Sequence, residues 1–100
     1  MKTTYQVEIT PAAEKDIHQI WRYIAQDTPQ AAYRFITELE KQFTTLASFP
    51  ERCADIPENE LLKTHYKHLI YKQYRTIFRI DGKLVYILRI IHGAKLLVIK

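Results

Sequence analysis

The sequence feature that most constrains the fold is the dipeptide Asp81-Gly82, which separates two runs rich in β-branched and aromatic residues. Asp-Gly suits a two-residue hairpin turn of type I′, because both turn positions of that type require a positive φ angle. The flanking runs are therefore predicted to form antiparallel strands over residues 74–80 and 83–92, and residues 66–72 are predicted to form a third strand. The C-terminal part of the chain is expected to be a mainly antiparallel sheet.

Two helices are predicted in the N-terminal part of the chain, each introduced by a Thr-Pro dipeptide, at Thr10-Pro11 and at Thr28-Pro29. The threonine supplies an oxygen that caps the helix, and the proline presets φ at the first helical position. Each dipeptide is followed by an apolar stripe with helical spacing. The stripes consist of Ile17, Ile20, Trp21 and Ile24 in the first helix and of Ala32, Phe35, Ile36, Leu39, Phe43 and Leu46 in the second. Because the connection is very short, we expect an antiparallel helical hairpin, with Trp21 in the core.

The remaining segments complete an α+β domain. Residues 5–9 alternate between apolar and polar side chains, which predicts a strand with one buried face. Phe49-Pro50 ends the second helix, and the stretch to about residue 60 is predicted to be a loop. Its acidic side chains could supply a general base, but they are expected to be solvated; they are Glu51, Asp55, Glu58 and Glu60. The predicted order is β-α-α-β-β-β, with the helical hairpin packed on one face of the sheet. A chain of 100 residues has room for one core, so residues 1–100 are expected to form a single domain.

The hairpin also predicts which side chains share a face of the sheet. If Ile80 pairs with Lys83 and the strands contain no bulge, then Arg75, Arg79 and His92 lie on one face. The other face is more uniformly apolar and is expected to pack against the helices. It would carry Tyr74, Thr76, Phe78, Ile80, Val85, Ile87, Arg89 and Ile91.

The net charge of +4 is unevenly distributed along the chain. Residues 1–60 contain six Lys and Arg against ten Asp and Glu, whereas residues 61–100 contain nine against the single acidic residue Asp81. This cationic C-terminal part favours an anionic partner, either a nucleic acid or an acidic protein; a solvated charged face is the alternative. A DNA-binding accessory module is less favoured, because no predicted helix has a basic face.

Composition excludes several function classes. Cys53 is the only cysteine, which leaves no partner for an intramolecular disulfide and fits a reducing compartment. His65 and His68 would point to opposite faces of a strand, so they are not expected to share a metal ion. The apolar runs are far shorter than the ~20 residues of a membrane-spanning helix, and the N-terminus lacks the apolar core of a secretory signal. We expect a cytoplasmic chain without a metal, a cofactor or a small-molecule ligand.

Three segments, in this order, resemble a known family of proteins: TPAAEKDIHQIWRYIAQDTPQAAYRFITELEKQFTTLASFPE, YKHLIYKQYRTIFRI and VYILRIIHGAKLL. Together with the length of the chain, they are similar to the RelE/ParE superfamily of toxins from type II toxin–antitoxin modules, particularly its ParE-like, plasmid-stabilisation branch. The resemblance implies the β-α-α-β-β-β fold and a cytoplasmic toxin that a tightly bound antitoxin neutralises. It also implies a target, which is DNA gyrase for a ParE-like toxin or, as the alternative, the ribosome and its mRNA for a RelE-like endonuclease.

The resemblance also marks candidate site residues. Arg75, in YRTIF, matches an arginine that recurs in both branches, and His92, in IIHG, stands where some RNA-cleaving members keep a catalytic histidine. An endonuclease would therefore use Arg75 and His92 as catalytic residues. The residues expected to bind the target or a phosphate are Lys67, Lys72, Arg75, Arg79 and Lys95.

The chain departs from the family pattern at some of these places. Lys67 and Lys95 stand where the family usually has arginine, so the positive charge is kept but bidentate recognition is lost. After His92 comes Gly93, whereas some nucleolytic members carry a tyrosine nearby. The missing tyrosine, the ParE-like N-terminal helices and the lack of a complete set of acid, base and phosphate clamps favour a toxin that acts by binding over one that cleaves RNA.

The charge distribution also predicts the chemistry of the antitoxin. The cationic part of the chain is expected to keep exposed apolar side chains on the sheet, such as Leu84 and Tyr86. We therefore expect an antitoxin segment that is acidic, carries spaced apolar anchors and is laid over the sheet and the helical hairpin.

Overall fold

The structure, a computed structural model, describes residues 4–97. Its elements are β1 (Gln6–Ile9), α1 (Pro11–Asp27), α2 (Pro29–Thr45), a 3₁₀ turn (Pro50–Arg52), β2 (Ala54–Asp55), α3 (Asn59–Leu62), β3 (Lys67–Tyr71), β4 (Tyr74–Asp81) and β5 (Leu84–His92). In this part of the chain the strands form a five-stranded sheet in the order β1-β5-β4-β3-β2, with β1 parallel to β5 and the other neighbours antiparallel. The α+β class and the predicted order of the main elements are confirmed, and the predicted loop additionally contains the short elements β2 and α3. None of the helices described is both long enough and apolar enough to cross a bilayer.

The two long helices begin at the predicted Thr-Pro dipeptides. Thr10 caps α1, because its Oγ1 accepts a hydrogen bond from the backbone N–H of Ala13 at 3.3 Å. The same hydroxyl donates to the carbonyl oxygen of Ile87 at 2.8 Å, which ties the start of α1 to β5. Pro29 opens α2, but the side chain of Thr28 makes no capping hydrogen bond.

The main core lies between the helical hairpin and one face of the sheet. Its buried members are Ala13, Ile20, Phe35, Leu39, Phe43, Leu46, Phe78, Val85, Ile87 and Ile90. Trp21 is 42% exposed, and its ring stacks on His18 with 6.4 Å between the ring centroids. The prediction that Trp21 belongs to the core is wrong, because Ile17, Ile20 and Ile24 already fill the side of α1 that faces the sheet. Trp21 follows Ile20 by one residue, a rotation of about 100°, and so lies at the edge of the apolar stripe.

A smaller core covers the other face of the sheet. It consists of the buried residues Ile56, Ile77 and Leu97, with Leu62, Tyr66 and Ile91 packed against them. The segment between α2 and β3 and the segment that follows β5 thus meet over the same part of the sheet. Leu84 and Tyr86, which were expected to be exposed, are partly buried.

The β4–β5 hairpin turns one residue later than predicted. Its loop consists of Gly82 and Lys83, and Gly82 has a φ angle of 60°. Asp81 pairs with Leu84 across the turn instead of lying in it. Ile80 consequently pairs with Val85, two positions beyond the predicted partner Lys83. Because a shift by two keeps the alternation, side chains near the turn stay on their predicted faces.

A β-bulge farther along the hairpin changes the faces of the remaining residues. Leu88 is an extra residue of β5 without a pairing partner in β4. An extra residue inverts the alternation of one strand relative to the other. Arg75 therefore pairs with Ile91, and His92 pairs with Tyr74. The predictions that Arg75 and His92 share a face, and that Ile91 faces the helices, are wrong.

Candidate functional site

A cleft of about 440 Å³ opens at the end of the sheet where β3 turns into β4. It lies between that turn, the residues that precede α3 and the segment that follows β5. The residues predicted from the sequence that line it are Lys72, Arg75, His92 and Lys95. Glu58 and His68, which the sequence analysis did not select, line it as well. The structure thus brings part of the predicted site together and adds two ionisable groups to it.

Arg75 is the buried member of the cleft, with 5% of the residue exposed. Its guanidinium binds the Glu58 carboxylate in a bidentate pair, with Nη1–Oε1 and Nη2–Oε2 distances of 3.1 and 2.5 Å. Nη1 also lies 3.3 Å from Nδ1 of His68, and Nη2 donates to the carbonyl oxygen of Lys95 at 2.8 Å. Nε is buried and finds no hydrogen-bond acceptor among the residues described. Both terminal nitrogens of Arg75 are therefore engaged within the chain.

Glu58 supplies the counter-charge and is itself only 6% exposed. The hydrogen bonds from Arg75 lower the pKa of its carboxyl from the ordinary value of 4.5 to about 2. The backbone N–H of Leu97 donates to its Oε2 at 3.0 Å, so the same carboxylate also holds the segment after β5. The prediction that this acidic side chain is solvated is wrong. Glu58 is ionised at neutral pH and neutralises Arg75 inside the cleft.

His68 lies on β3 beside this ion pair. Burial, followed by the charge of Arg75, lowers the pKa of its imidazole below the ordinary value of 6.5. Since a guanidinium only donates hydrogen bonds, Nδ1 of His68 is the acceptor that faces Nη1, and the proton of the neutral ring resides on Nε2. His68 therefore presents a neutral imidazole to the cleft at neutral pH.

His92 ends β5 at the rim of the cleft, where it is exposed. Its ring meets the ring of Tyr74 edge-on, with 5.8 Å between the centroids. Its Nδ1 accepts a hydrogen bond from the backbone N–H of Ala94 at 3.2 Å, which orients the imidazole. The backbone N–H of Gly93 donates to the carbonyl oxygen of Gln73 at 2.7 Å, so the segment after β5 is attached to the β3–β4 turn.

Two exposed lysines complete the rim, Lys72 in the β3–β4 turn and Lys95 beyond β5. Lys72 has a φ angle of 52°, in the left-handed region that costs a residue other than glycine about 1–2 kcal/mol. Its Nζ lies 5.7 Å from the centroid of the Tyr71 ring, within the range of a cation–π contact. Because Glu58 and Arg75 neutralise each other, the two ammonium groups give the cleft a net positive charge.

Lys67 and Arg79, the other two predicted anion-binding residues, do not line the cleft. Nζ of Lys67 donates to Oδ1 of Asp55 at 3.0 Å and to a backbone carbonyl oxygen at 3.1 Å. The guanidinium of Arg79 lies 4.4 Å from the centroid of the Tyr86 ring and 3.4 Å from a carboxylate oxygen of Asp81. Both side chains are partnered within the chain, near the part of the sheet that leads to the β4–β5 turn.

The cleft contains groups that can bind an anion and groups that can move protons. Cleavage requires a base, an acid and a cation that stabilises the phosphate in the transition state. The imidazoles of His68 and His92 can move protons, and the ammonium groups of Lys72 and Lys95 can hold a phosphate. Arg75 cannot do so while its charge is paired and buried. In the part of the chain that the structure describes, no three His, Cys, Asp or Glu side chains are grouped to hold a metal ion.

Comparison with known proteins identifies the family of the chain. The family model for ParE toxins of the type II toxin–antitoxin system parDE matches residues 7–97. No curated protein sequence matches the chain significantly. Among solved structures, a chain of the chromosomal ParDE toxin–antitoxin system from P. aeruginosa is similar, with 21% sequence identity, a TM-score of 0.70 and coverage of 90% of this chain and 97% of that one. A chain of the RelBE2 toxin–antitoxin complex from Mycobacterium tuberculosis is also similar, with 26% identity, a TM-score of 0.62 and coverage of 89% and 98%.

The family match reaches from β1 to the segment that follows β5 and includes every residue of the cleft. The solved structures share the fold over about nine tenths of the chain. Both findings agree with the resemblance that the sequence segments carry. The chain belongs to the ParE toxins of type II toxin–antitoxin systems, within the RelE/ParE superfamily.

Proposed function

We propose that this toxin acts by binding DNA gyrase and that it carries out no chemistry of its own. The family match supports gyrase, because that target is the one that the ParE-like branch implies. The ion pair of Arg75 supports the absence of chemistry, because the residue is 5% exposed and both of its terminal nitrogens donate hydrogen bonds within the chain. A ribonuclease needs such a charge at the reacting phosphate, whereas a toxin that only binds does not.

The exposed rim of the cleft supplies the contacts with the target in this proposal. Lys72 and Lys95 attract an acidic surface and speed the encounter, and His92, which lines the same cleft, is a further contact. The cognate antitoxin neutralises the toxin by binding to it, as the toxin–antitoxin family implies. We place both interactions in the cytoplasm, where gyrase works.

A ribosome-dependent mRNA endonuclease is the second candidate. The similarity to the RelBE2 complex and the presence of two imidazoles in one cleft with two lysines favour it. In that function His92 or the neutral His68 would take the proton from the attacking ribose hydroxyl, and Lys72 and Lys95 would hold the phosphate.

Two assays on the same purified toxin separate the candidates. One follows DNA supercoiling by purified gyrase, and the other follows a defined mRNA in a translation extract. We expect supercoiling to be inhibited and the message to stay intact. His92→Gln tests the chemistry, and His65→Gln is its matched control, because His65 is exposed and lies outside the cleft.

The size of the His92→Gln effect distinguishes a contact from a catalyst. For a gyrase binder the change should alter inhibition by about threefold or less, as expected for one contact at the rim of an interface. For an endonuclease it should lower the cleavage rate by about 10²–10⁴, the usual effect of losing a positioned acid or base. Cuts in codon register that vanish in His92→Gln, together with unaffected supercoiling at saturating toxin, would refute the proposal.

A further inference from the structure

The segment that follows β5 is fastened to the rest of the chain by the ion pair of Arg75 and Glu58. The carbonyl oxygen of Lys95 accepts a hydrogen bond from Nη2 of Arg75 at 2.8 Å. The backbone N–H of Leu97 donates to Oε2 of Glu58 at 3.0 Å, and the Leu97 side chain is buried in the smaller core. We call residues 94–97 the strap, because they cross the cleft wall and are held there by these contacts.

His68 reaches the same ion pair from β3. Its Nδ1 lies 3.3 Å from Nη1 of Arg75, and this Nη1 also donates to Oε1 of Glu58 at 3.1 Å. Since a guanidinium only donates, the imidazole can accept its hydrogen bond only while Nδ1 carries no proton. Protonation would replace this acceptor by an N–H and place a second positive charge beside the guanidinium. The contact between His68 and Arg75 therefore exists only with the neutral ring.

The charges around His68 offer little compensation for an added proton. The other titratable groups of the cleft rim are cationic or neutral at neutral pH; they are Lys72 in the β3–β4 turn, His92 at the end of β5 and Lys95 in the strap. On β2, the carboxylate of Asp55 is bound by Nζ of Lys67 at 3.0 Å. Glu58 is the only acidic residue that lines the cleft in the described part of the chain, and Arg75 already binds it. A charge on His68 must therefore draw on the carboxylate that holds Arg75.

We propose that His68 is an acid-sensitive latch whose protonation loosens the Arg75–Glu58 pair and releases the strap from the cleft wall. The imidazolium and the guanidinium then compete for one carboxylate, so the hydrogen bonds to Lys95 and Leu97 lose their fixed partners.

The direction of the pH dependence follows from linkage. In the closed form, burial and then the charge of Arg75 lower the pKa of the His68 imidazole below the ordinary value of 6.5. In the open form the imidazole is free of both influences, so its pKa is higher than in the closed form. Protons therefore bind the open form preferentially, and acidification below about pH 6.5 shifts the population toward it. Glu58 does not contribute in this range, because its pKa is about 2.

The latch controls the shape of the cleft and does not depend on the target that the toxin binds. Opening of the strap moves Lys95 away from Lys72 and uncovers the smaller core at Leu97. A partner that needs both lysines in their present positions would bind less tightly at acidic pH.

Residue-resolved amide hydrogen exchange of the full chain, at about pH 8 and at about pH 5, tests the proposal. Each rate is divided by the intrinsic rate at the same pH to give a protection factor. The protection of the Leu97 amide should fall by at least about threefold on acidification. The amides of Gly93 and Thr10 donate to the carbonyl oxygens of Gln73 and Ile87, and as internal references they should keep their protection. Unchanged protection of Leu97, or an equal loss at all three amides, would overturn the proposal.

Matched histidine variants identify the group that titrates. In His68→Asn the side-chain oxygen can accept from Arg75 and cannot be protonated, so the protection of the Leu97 amide should change by about twofold or less over the same pH range. His65→Asn, at an exposed residue outside the cleft, and His92→Asn, at the rim, should both keep the wild-type loss. Circular dichroism verifies that each variant is folded. A loss that persists in folded His68→Asn, or that disappears in His92→Asn, would overturn the proposal.

A titration of the imidazole signals by NMR tests the same step in the unsubstituted chain. The His68 ring should titrate below 6.5, and at neutral pH the nitrogen shifts should place its proton on Nε2. A His68 ring that titrates at or above 6.5, or that carries its proton on Nδ1 at neutral pH, would overturn the proposal.

Discussion

Removing Arg75 should strongly destabilise this small domain, and the expected loss follows from the geometry of the ion pair. Arg75 and Glu58 are 5% and 6% exposed, and their side chains form a bidentate pair. Deleting one partner of a buried pair leaves the other charge uncompensated, which costs about 3–5 kcal/mol. The lowered pKa of Glu58 reflects the same hydrogen bonds and is consistent with this figure, because a decrease from 4.5 to about 2 corresponds to about 3 kcal/mol. Such a loss is a large part of the about 5–15 kcal/mol that stabilises an ordinary domain.

Urea unfolding followed by circular dichroism measures this loss in Arg75→Ala, in Glu58→Ala and in the double variant. Each single change should lower the free energy of unfolding by about 3 kcal/mol or more. The double variant should lose clearly less than the sum of the two, because it buries no unpaired charge. A loss below about 1 kcal/mol in Arg75→Ala, or losses that add within about 0.5 kcal/mol, would show that the pair is not a buried unit. A loss of toxicity in Arg75→Ala must therefore be interpreted together with its stability.

Three further predictions follow from burial and backbone geometry. Folding lowers the pKa of the Glu58 carboxyl, so the stability that its ion pair contributes is complete above about pH 4.5 and is lost as the pH falls toward 2. Melting temperatures measured from neutral to acidic pH should show this loss in the wild type and not in Glu58→Gln. In urea unfolding, Trp21→Ala should lower the free energy of unfolding by about 1 kcal/mol or less, whereas Phe78→Ala, at a fully buried residue, should lower it by about 3–5 kcal/mol. Equal losses would contradict the position of the core. Lys72→Gly relieves a positive φ and should stabilise the chain by about 0.5–1 kcal/mol. Gly82→Ala should destabilise it by a similar amount through the positive φ alone, because no atom lies within 4 Å of the new Cβ; two changes of the same sign would contradict the positive φ angles at these two turns.

The elements that could be predicted are those whose signal is local. Thr10 provides its own cap, and the helical stripe after it needs no information from the rest of the chain. The β4–β5 hairpin is of the same kind, because a turn residue and two β-branched runs are contiguous in the sequence. The prediction failed at Leu88, since an inserted residue has no composition that distinguishes it from its neighbours in a strand. That single residue moved His92 from the face of Arg75 to the side of Tyr74.

The candidate site likewise contains residues that could be identified from the sequence and residues that could not. Lys72, His92 and Lys95 could be selected because charge and a family motif mark them individually. Glu58 could not be selected in this way, because it belongs to the site through its contact with Arg75, 17 positions away. Its neighbours in the sequence are those of an ordinary acidic loop. His68 was considered as a metal ligand, and its position beside Arg75 becomes visible only when β3 and β4 pair.

The buried ion pair also explains why this chain has a cleft at all. Glu58 precedes α3, Arg75 belongs to β4, and their hydrogen bonds reach the backbone of Lys95 and Leu97 in the segment after β5. The pair thus joins three separate parts of the chain, and all three contribute residues to the lining of the cleft. An Arg75 released to hold a substrate phosphate would leave Glu58 unpaired and would free the segment that carries Lys95. The arginine therefore either maintains the walls or serves as a phosphate clamp, and in this structure it maintains the walls of the cleft.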